Sequence, residues 1–91
     1  MQVVGTIKVY GEVQTFGNNG FKKREIVVKT DEDYPQMLLI EFTQDKTSLL
    51  DQFQIGSKVT ISINLKGNEW INPQGVAKYF IALNGWRIEQ A

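Results

Sequence analysis

The chain contains no cysteine and no histidine in 91 residues. Without cysteine there are no disulfides or thiol nucleophiles, and without either residue the usual zinc sites and histidine base chemistry are excluded. We therefore expect neither a metal nor a cofactor. A domain of this size without disulfides must be stabilised by packing, helped in some cases by self-association. The lack of cysteine also fits a reducing compartment.

An excess of charge of either sign is also lacking, because ten basic and ten acidic residues give a formal net charge of zero. This balance argues against strong nonspecific binding to nucleic acid. The distribution along the chain is uneven, however. Residues 1–30 carry five basic and two acidic residues, whereas residues 31–51 carry six acidic residues and one basic residue. A polarised surface is one interpretation, and scatter within a short chain is the other.

Long hydrophobic runs are missing as well. None approaches the ~20 residues of a membrane-spanning helix, and the N-terminus lacks the basic region and apolar segment of a signal peptide. We therefore expect a cytoplasmic protein that does not engage a membrane. The length corresponds to a single domain, residues 1–91. A hydrophobic content of 42% is typical of a folded chain.

Hydrophobic alternation predicts five strands and one helix. The strand-like runs are Val3–Gln14, Phe21–Thr30, Gln36–Thr43, Ser57–Lys66 and Ala77–Glu89. The only convincing helical segment, Asp45–Phe53, lies between the third and fourth runs, where its Leu49, Leu50 and Phe53 would close one end of a barrel. This order predicts an all-β fold, a five-stranded OB-fold barrel with one short helix between strands 3 and 4.

The same patterns predict which side chains are buried. In the first strand, alternation places Val9 and Val13 on the core side and Tyr10 on the exposed side. Residues 67–76, rich in glycine and asparagine, are predicted to be a loop between the last two strands. The break at Asn84-Gly85 predicts a bulge in the final strand. Three aromatic residues are assigned to the core or to subunit packing: Tyr79, Phe80 and Trp86.

Catalytic motifs are not found in this sequence. It has no P-loop, no dinucleotide fingerprint, no nucleophile–histidine arrangement and no metal-ligand spacing. The one cluster of carboxylates, residues 31–33, lies in a predicted turn, where solvated acids are the expected composition. We therefore expect a non-enzymatic protein.

Aromatic and basic residues are grouped where an OB-fold would hold a ligand, in the loops that join strands 1–2 and 4–5 and on the sheet face between them. Aromatic rings stack on bases, and lysine or arginine neutralises phosphates. This pattern predicts single-stranded nucleic-acid binding. The candidate residues are Lys8, Tyr10, Phe16, Phe21, Lys22, Lys23, Arg24, Lys29, Trp70 and Lys78.

Each group also has a purely structural interpretation. Phe16 and Phe21 would equally well staple a hairpin, and Trp70 would cover the barrel mouth or lie in a dimer interface. Val27 and Leu39 make the sheet face partly apolar, and an exposed apolar patch often marks a protein partner. The alternative function is therefore a protein–protein interaction or oligomerisation module. With either function we expect a homo-oligomer, a dimer or a tetramer.

A succession of short motifs runs through most of the chain. They are Thr30-Asp31-Glu32-Asp33-Tyr34-Pro35, Glu41, Asp45-Lys46, Leu49-Leu50, Gly56, Val59, Lys78-Tyr79-Phe80 and Trp86-Arg87-Ile88-Glu89. In this order they resemble a family of small bacterial and phage OB-fold proteins of unknown function that look like single-stranded-DNA-binding proteins. The resemblance implies binding of DNA before RNA. It does not imply a long acidic tail for partner recruitment, because this chain stops at Ala91.

Overall fold

The computed structural model describes all 91 residues. Its order of elements confirms the predicted arrangement, an all-β chain with one short helix before the last two strands. The predicted first strand is divided into two pieces, β1 and β2, and the helix is a 3₁₀ helix. The elements are β1 Gln2–Tyr10, β2 Gln14–Phe16, β3 Phe21–Thr30, β4 Met37–Thr43, the 3₁₀ helix Gln44–Gln52, β5 Lys58–Ile71 and β6 Ala77–Gln90.

Hydrogen bonding between neighbouring strands closes the sheet into a barrel. The order is β1-β5-β6-β4-β3-β2, and an additional β1–β3 pairing completes the ring. All ladders are antiparallel except β4–β6, which is parallel and consists of the pairs Ile40–Leu83 and Glu41–Asn84. With two residue pairs, this parallel ladder is the shortest in the barrel.

The core is formed by alternate residues of the barrel strands together with the helix. Leu50 of the helix is fully buried and closes one end of the barrel, as predicted, with Phe53 packed beside it. Alternation also predicts inward positions in β3, β4 and β5, and Ile26, Val28, Ile40, Phe42, Val59, Ile61 and Ile63 are buried as predicted. Leu65, predicted to point inward with them, is 57% exposed. The core residues are Val3, Ile7, Ile26, Val28, Ile40, Phe42, Leu50, Val59, Ile61 and Ile63.

A bulge at Lys8 reverses the alternation that the sequence predicted for β1. Ile7 pairs with Val28 and Val9 pairs with Val27, so that Lys8 has no partner in the ladder. The extra residue turns Val9 outward, leaving it 52% exposed, and turns Tyr10 toward the core. The predictions for Val9 and Tyr10 were therefore wrong, and Val13, beyond the end of β1, is also exposed.

The predicted bulge in β6 is confirmed. Ser62 pairs with Arg87 and Ile63 pairs with Gly85, which leaves Trp86 without a partner. Directly inside this bulge, the ring of Phe42 lies so close to Gly85 that a Cβ would overlap it. Only glycine permits this approach between β6 and the largest side chain of the core.

Beyond the barrel, β5 and β6 continue as a two-stranded arm comprising residues 64–82. The prediction of a loop over residues 67–76 was wrong, because the ladder extends without interruption to the pair Ile71–Ala77. The turn at the tip is short, and the Asn72 side chain stabilises it by accepting hydrogen bonds from the backbone N–H groups of Gln74 and Val76 at 3.0 and 2.9 Å. The arm contributes to the long dimension of the molecule, 45 Å.

Tyr79 and Phe80 lie on the arm and are 74% and 54% exposed, and Trp86 is also exposed. They are therefore not part of the core of the chain, and the other half of the prediction, packing between subunits, stays a prediction. The structure has no helix of the length and hydrophobicity needed to cross a membrane.

Replacement of Gly85 by alanine should destabilise the fold, because the added methyl group would overlap the Phe42 ring. We expect the free energy of unfolding to fall by about 1–3 kcal/mol, the usual effect of overpacking. Gly67→Ala is the matched control, since a Cβ at Gly67 meets no atom within 4 Å. Urea denaturation compares the two, and equal losses would contradict the proposed contact.

Candidate nucleic-acid interface

The candidate interface lies on the side chains of β3 and β4 that point away from the core, which we call the outer face. Cross-strand pairs place Lys23 beside Thr43, Glu25 beside Glu41, Val27 beside Leu39 and Lys29 beside Met37. Val9 of β1 extends the row of Val27 and Leu39, because it pairs with Val27. The centre of the outer face is therefore apolar with charged residues on both sides.

Aromatic residues lie at the two ends of this face. Phe16 and Phe21 form a cross-strand pair at the end near Thr43, and both are partly exposed. The arm leaves the barrel at the other end of the face, near Met37. This follows from the parallel pairing of β6 with β4, because the residues of β6 that precede Leu83 lie toward the start of β4. The two loops singled out by the sequence thus flank one face from opposite ends.

The arm has two chemically different faces. Opposed residues in an antiparallel ladder share a face, and Trp70 is opposite Lys78 while Asn68 is opposite Phe80. We call this side the basic–aromatic face. It continues the outer face of the barrel, since the same alternation leads through Ala82 to Asn84, the partner of Glu41. Its remaining member is Lys66.

The other side of the ribbon we call the apolar face. It continues the inward-facing row of β5 from Ile63, but no part of the barrel covers it. Ile81 is 79% exposed, and Glu69 is the only charged residue on this side. The apolar face is formed by Leu65, Gly67, Glu69, Ile71, Ala77, Tyr79 and Ile81.

Arg24 is a candidate that the structure places inside the protein, only 8% exposed. Its Nε donates to the Gly11 carbonyl oxygen at 2.9 Å, and its Nη1 donates to the Thr47 carbonyl oxygen at 3.2 Å and to Asp51 Oδ1 at 2.6 Å. The guanidinium also lies over the Tyr10 ring, 4.5 Å from its centroid. Arg24 therefore joins β1, β3 and the helix and is not directed at a ligand.

Tyr10 is likewise committed to the interior. Its hydroxyl donates a hydrogen bond to the carbonyl oxygen of Leu50, and its ring packs against the core beneath Arg24. Stacking of Tyr10 on a base from the outer face, as the sequence suggested, does not fit this position. The reason is the bulge at Lys8, which no alternation pattern reveals.

Lys23 reaches the outer face but is paired with acids. Its Nζ lies 3.2 Å from Glu41 Oε2 and 4.0 Å from Glu25 Oε2. The other candidate lysines form no ion pair within the chain, although Lys22 lies on the same side of β3 as Arg24, away from the outer face. The lysines without an ion pair are Lys8, Lys22, Lys29, Lys46, Lys66 and Lys78.

Two residues of the basic–aromatic face were missing from the sequence-based set, Lys66 and Phe80. Phe80 was assigned to the core or to subunit packing. The signal that would have found it is its spacing of two from Lys78, which places both on one face of a strand.

A cavity of about 240 Å³ lies where the outer face meets the arm. It combines a charged triplet from β3 and β4 with apolar side chains of β4 and β6. The lining residues are Lys23, Glu25, Leu39, Glu41, Ile81, Ala82 and Leu83. No group of three or more acidic residues is placed to hold a metal ion.

The closed ladder, the parallel β4–β6 pairing and the helix that closes one end define an OB-fold. The chain belongs to a family known as a domain of unknown function, DUF3127, whose model matches residues 2–89. Among solved structures, the chain is similar to the mitochondrial single-stranded DNA-binding protein Rim1 from S. cerevisiae. The TM-score is 0.74 at 13% identity, over 99% of this chain and 91% of that chain. A search of curated proteins gave no match.

Arg24→Lys tests whether this residue is structural. Lysine keeps the charge but cannot reproduce three directed contacts, so we expect the free energy of unfolding to fall by about 2 kcal/mol or more. The exposed neighbour provides the control, and Lys22→Ala should stay within about 0.5 kcal/mol. Urea denaturation measures both. A stable Arg24→Lys variant with weakened binding to single-stranded DNA would instead make Arg24 a ligand contact.

Proposed function

We propose that the protein is a non-enzymatic single-stranded nucleic-acid-binding protein, with DNA as the favoured strand and RNA as the alternative. The observation that carries the proposal is the continuity of the basic–aromatic face of the arm with the outer face of the barrel. Trp70 and Phe80 offer exposed rings for base stacking beside Lys66 and Lys78. Stacking with nearby cations is how proteins hold single strands without sequence preference.

The proposed contact set is smaller than the sequence suggested. Tyr10 and Arg24 are omitted because their side chains are used inside the protein. Lys23 is already neutralised by glutamates, and Lys22 lies off the outer face. The proposed phosphate contacts are Lys8, Lys29, Lys66 and Lys78, and the proposed stacking residues are Phe16, Phe21, Trp70 and Phe80.

The similarity to Rim1 supports the proposal through the fold. A net charge of zero does not oppose it, because the charges are unevenly placed. Each ion pair takes up one cation together with an acid, as in Arg24 with Asp51, whereas Lys66 and Lys78 share the basic–aromatic face with no acidic residue. What remains near the arm is a group of lysines without acidic partners, which is a local basic surface on a neutral protein.

Binding to an oligo-dT strand should weaken as salt increases. Four phosphate contacts on a single strand predict a slope of log K against log salt near −3, at about −0.7 per contact. Fluorescence titration measures this slope, because the partly exposed Trp70 and Trp86 report on the strand. An affinity that does not change with salt, or no binding at low salt, would rule out the proposal.

A second candidate function is self-association through the apolar face of the arm. An isolated two-stranded hairpin is only marginally stable in water, and here Leu65, Ile71 and Ile81 are exposed on an uncovered side of such a hairpin. We propose a second copy of the chain as the partner, since the same face of another arm is equally apolar and a two-fold axis would bury both. The basic–aromatic faces would remain free on the outside.

Neighbouring residues on opposite faces of β6 separate the two functions. Phe80→Ala should weaken DNA binding about 5- to 100-fold, the range for loss of one stacked base, without changing the molecular mass in solution. Tyr79→Ser should lower the mass toward that of a monomer and leave the outer face intact, because Tyr79 lies on the apolar face and does not line the cavity. Fluorescence titration and light scattering measure the two effects. If Phe80→Ala dissociates an oligomer with DNA affinity unchanged, the arm is an interface on both sides.

A further inference from the structure

The cavity between the outer face and the arm carries a negative charge, which is unfavourable on a surface that binds a polyanion. Glu25 and Glu41 are direct cross-strand partners, and only Lys23 lies between them. Two carboxylates and one ammonium leave one excess negative charge in the middle of the proposed path of the strand. Phosphates would be repelled here, so the group that enters the cavity has to be something other than the backbone.

A carboxylate accepts hydrogen bonds but cannot donate them. The groups of a nucleic acid that it can bind are therefore the N–H donors of the base edges, which are fully available only in single strands. Beside Glu41, the Lys23 ammonium supplies donors 3.2 Å away. The cavity thus presents two acceptor oxygens next to a donor.

We propose that this cavity binds one guanine base of the strand, an inference that rests on the proposed function. Guanine has two adjacent donors, N1–H and the 2-amino group, which match the two oxygens of the Glu41 carboxylate. Its O6 acceptor lies beside them and matches the ammonium of Lys23. Thymine offers a single N–H flanked by two carbonyl oxygens, which the carboxylate would repel.

The size and walls of the cavity fit a base. A volume of about 240 Å³ corresponds to roughly eight waters at ~30 Å³ each, which is on the scale of one planar heterocycle. Leu39 and Ala82 provide apolar contacts for the ring, while the charges come only from β3 and β4.

An unpartnered donor lies next to the cavity. Asn84 is the ladder partner of Glu41, it is buried, and its Nδ2 has no hydrogen-bond partner within the chain. Buried donors are nearly always satisfied, because leaving one without an acceptor is costly. Asn84 itself is not one of the residues that line the cavity. The orphaned amide therefore marks the ladder position beside Glu41 and is not a proposed contact of the base.

Three strands of about 12 nucleotides, within the ~4–16 covered by one OB-fold, test the proposal. One is oligo-dT, the second carries isolated guanines in the dT background, and the third carries deoxyinosine at the same positions, which removes only the 2-amino group. Fluorescence titration at low salt should give about tenfold tighter binding for the guanine strand than for oligo-dT. The inosine strand should fall between the two.

Glu41→Gln identifies the residue responsible. It should abolish the guanine preference and leave binding to oligo-dT unchanged or tighter, because one negative charge is removed. Glu69→Gln removes the same charge from the apolar face of the arm and should keep the preference. Equal affinity of the native protein for all three strands, or a preference that survives Glu41→Gln, would overturn the guanine site while oligo-dT binding stands. Absence of binding to every strand would overturn the proposed function as well.

Discussion

The closure of the barrel between β4 and β6 is the constraint on which the rest of the structure depends. Two residue pairs make this ladder, Ile40–Leu83 and Glu41–Asn84. Next to them, Phe42 packs against a position in β6 that lacks a side chain, Gly85. The β4–β6 pairing joins the strands next to Phe16 and Phe21 to the arm that carries Trp70. The outer face and the basic–aromatic face thereby form one continuous surface. Without this pairing, the two would be separate parts of an open sheet.

The distribution of ion pairs determines how a neutral chain can present a basic surface. Arg24 belongs to the basic cluster at positions 22–24, but its side chain is buried. It forms hydrogen bonds to Gly11, Thr47 and Asp51 and so does not contribute to the basic surface. Acids on β4 and the helix are in turn occupied by Lys23 and Arg24. Charge counted along the sequence therefore says little here, because four of the ten basic residues, Lys23, Arg24, Lys58 and Arg87, are paired with acids in the folded chain.

Much of the fold could be predicted because it depends on local patterns. The alternation in β3, β4 and β5, the helix predicted at Asp45–Phe53 and the break at Asn84-Gly85 each follow from residues close together in sequence. The burial of Tyr10 could not be predicted, since it follows from one extra residue in β1 opposite β3. The arm was also missed, because Gly67 and Asn68 suggest a loop and only the partner strand keeps them extended.

The candidate site was predicted less completely than the fold. The rings of Phe16, Phe21 and Trp70 are exposed as expected, but which cations accompany them depends on pairing across strands. Lys23 and Glu41 are distant in sequence and meet only in the folded sheet. Phe80 was missed for a different reason. It lies in an apolar run of a strand, which suggests burial, and no local pattern shows that this part of β6 lies outside the barrel.

Both β5 and β6 belong to two environments along a single unbroken ladder. Their barrel halves share hydrogen bonds with further strands and enclose the core, whereas their arm halves have only each other. Local opening requires far less free energy where few buried apolar contacts resist it. Amide hydrogens of one strand should therefore exchange with solvent on two timescales, with the boundary near Ile63. The arm would then bend or fray while the barrel stays folded, without a hinge in the sequence.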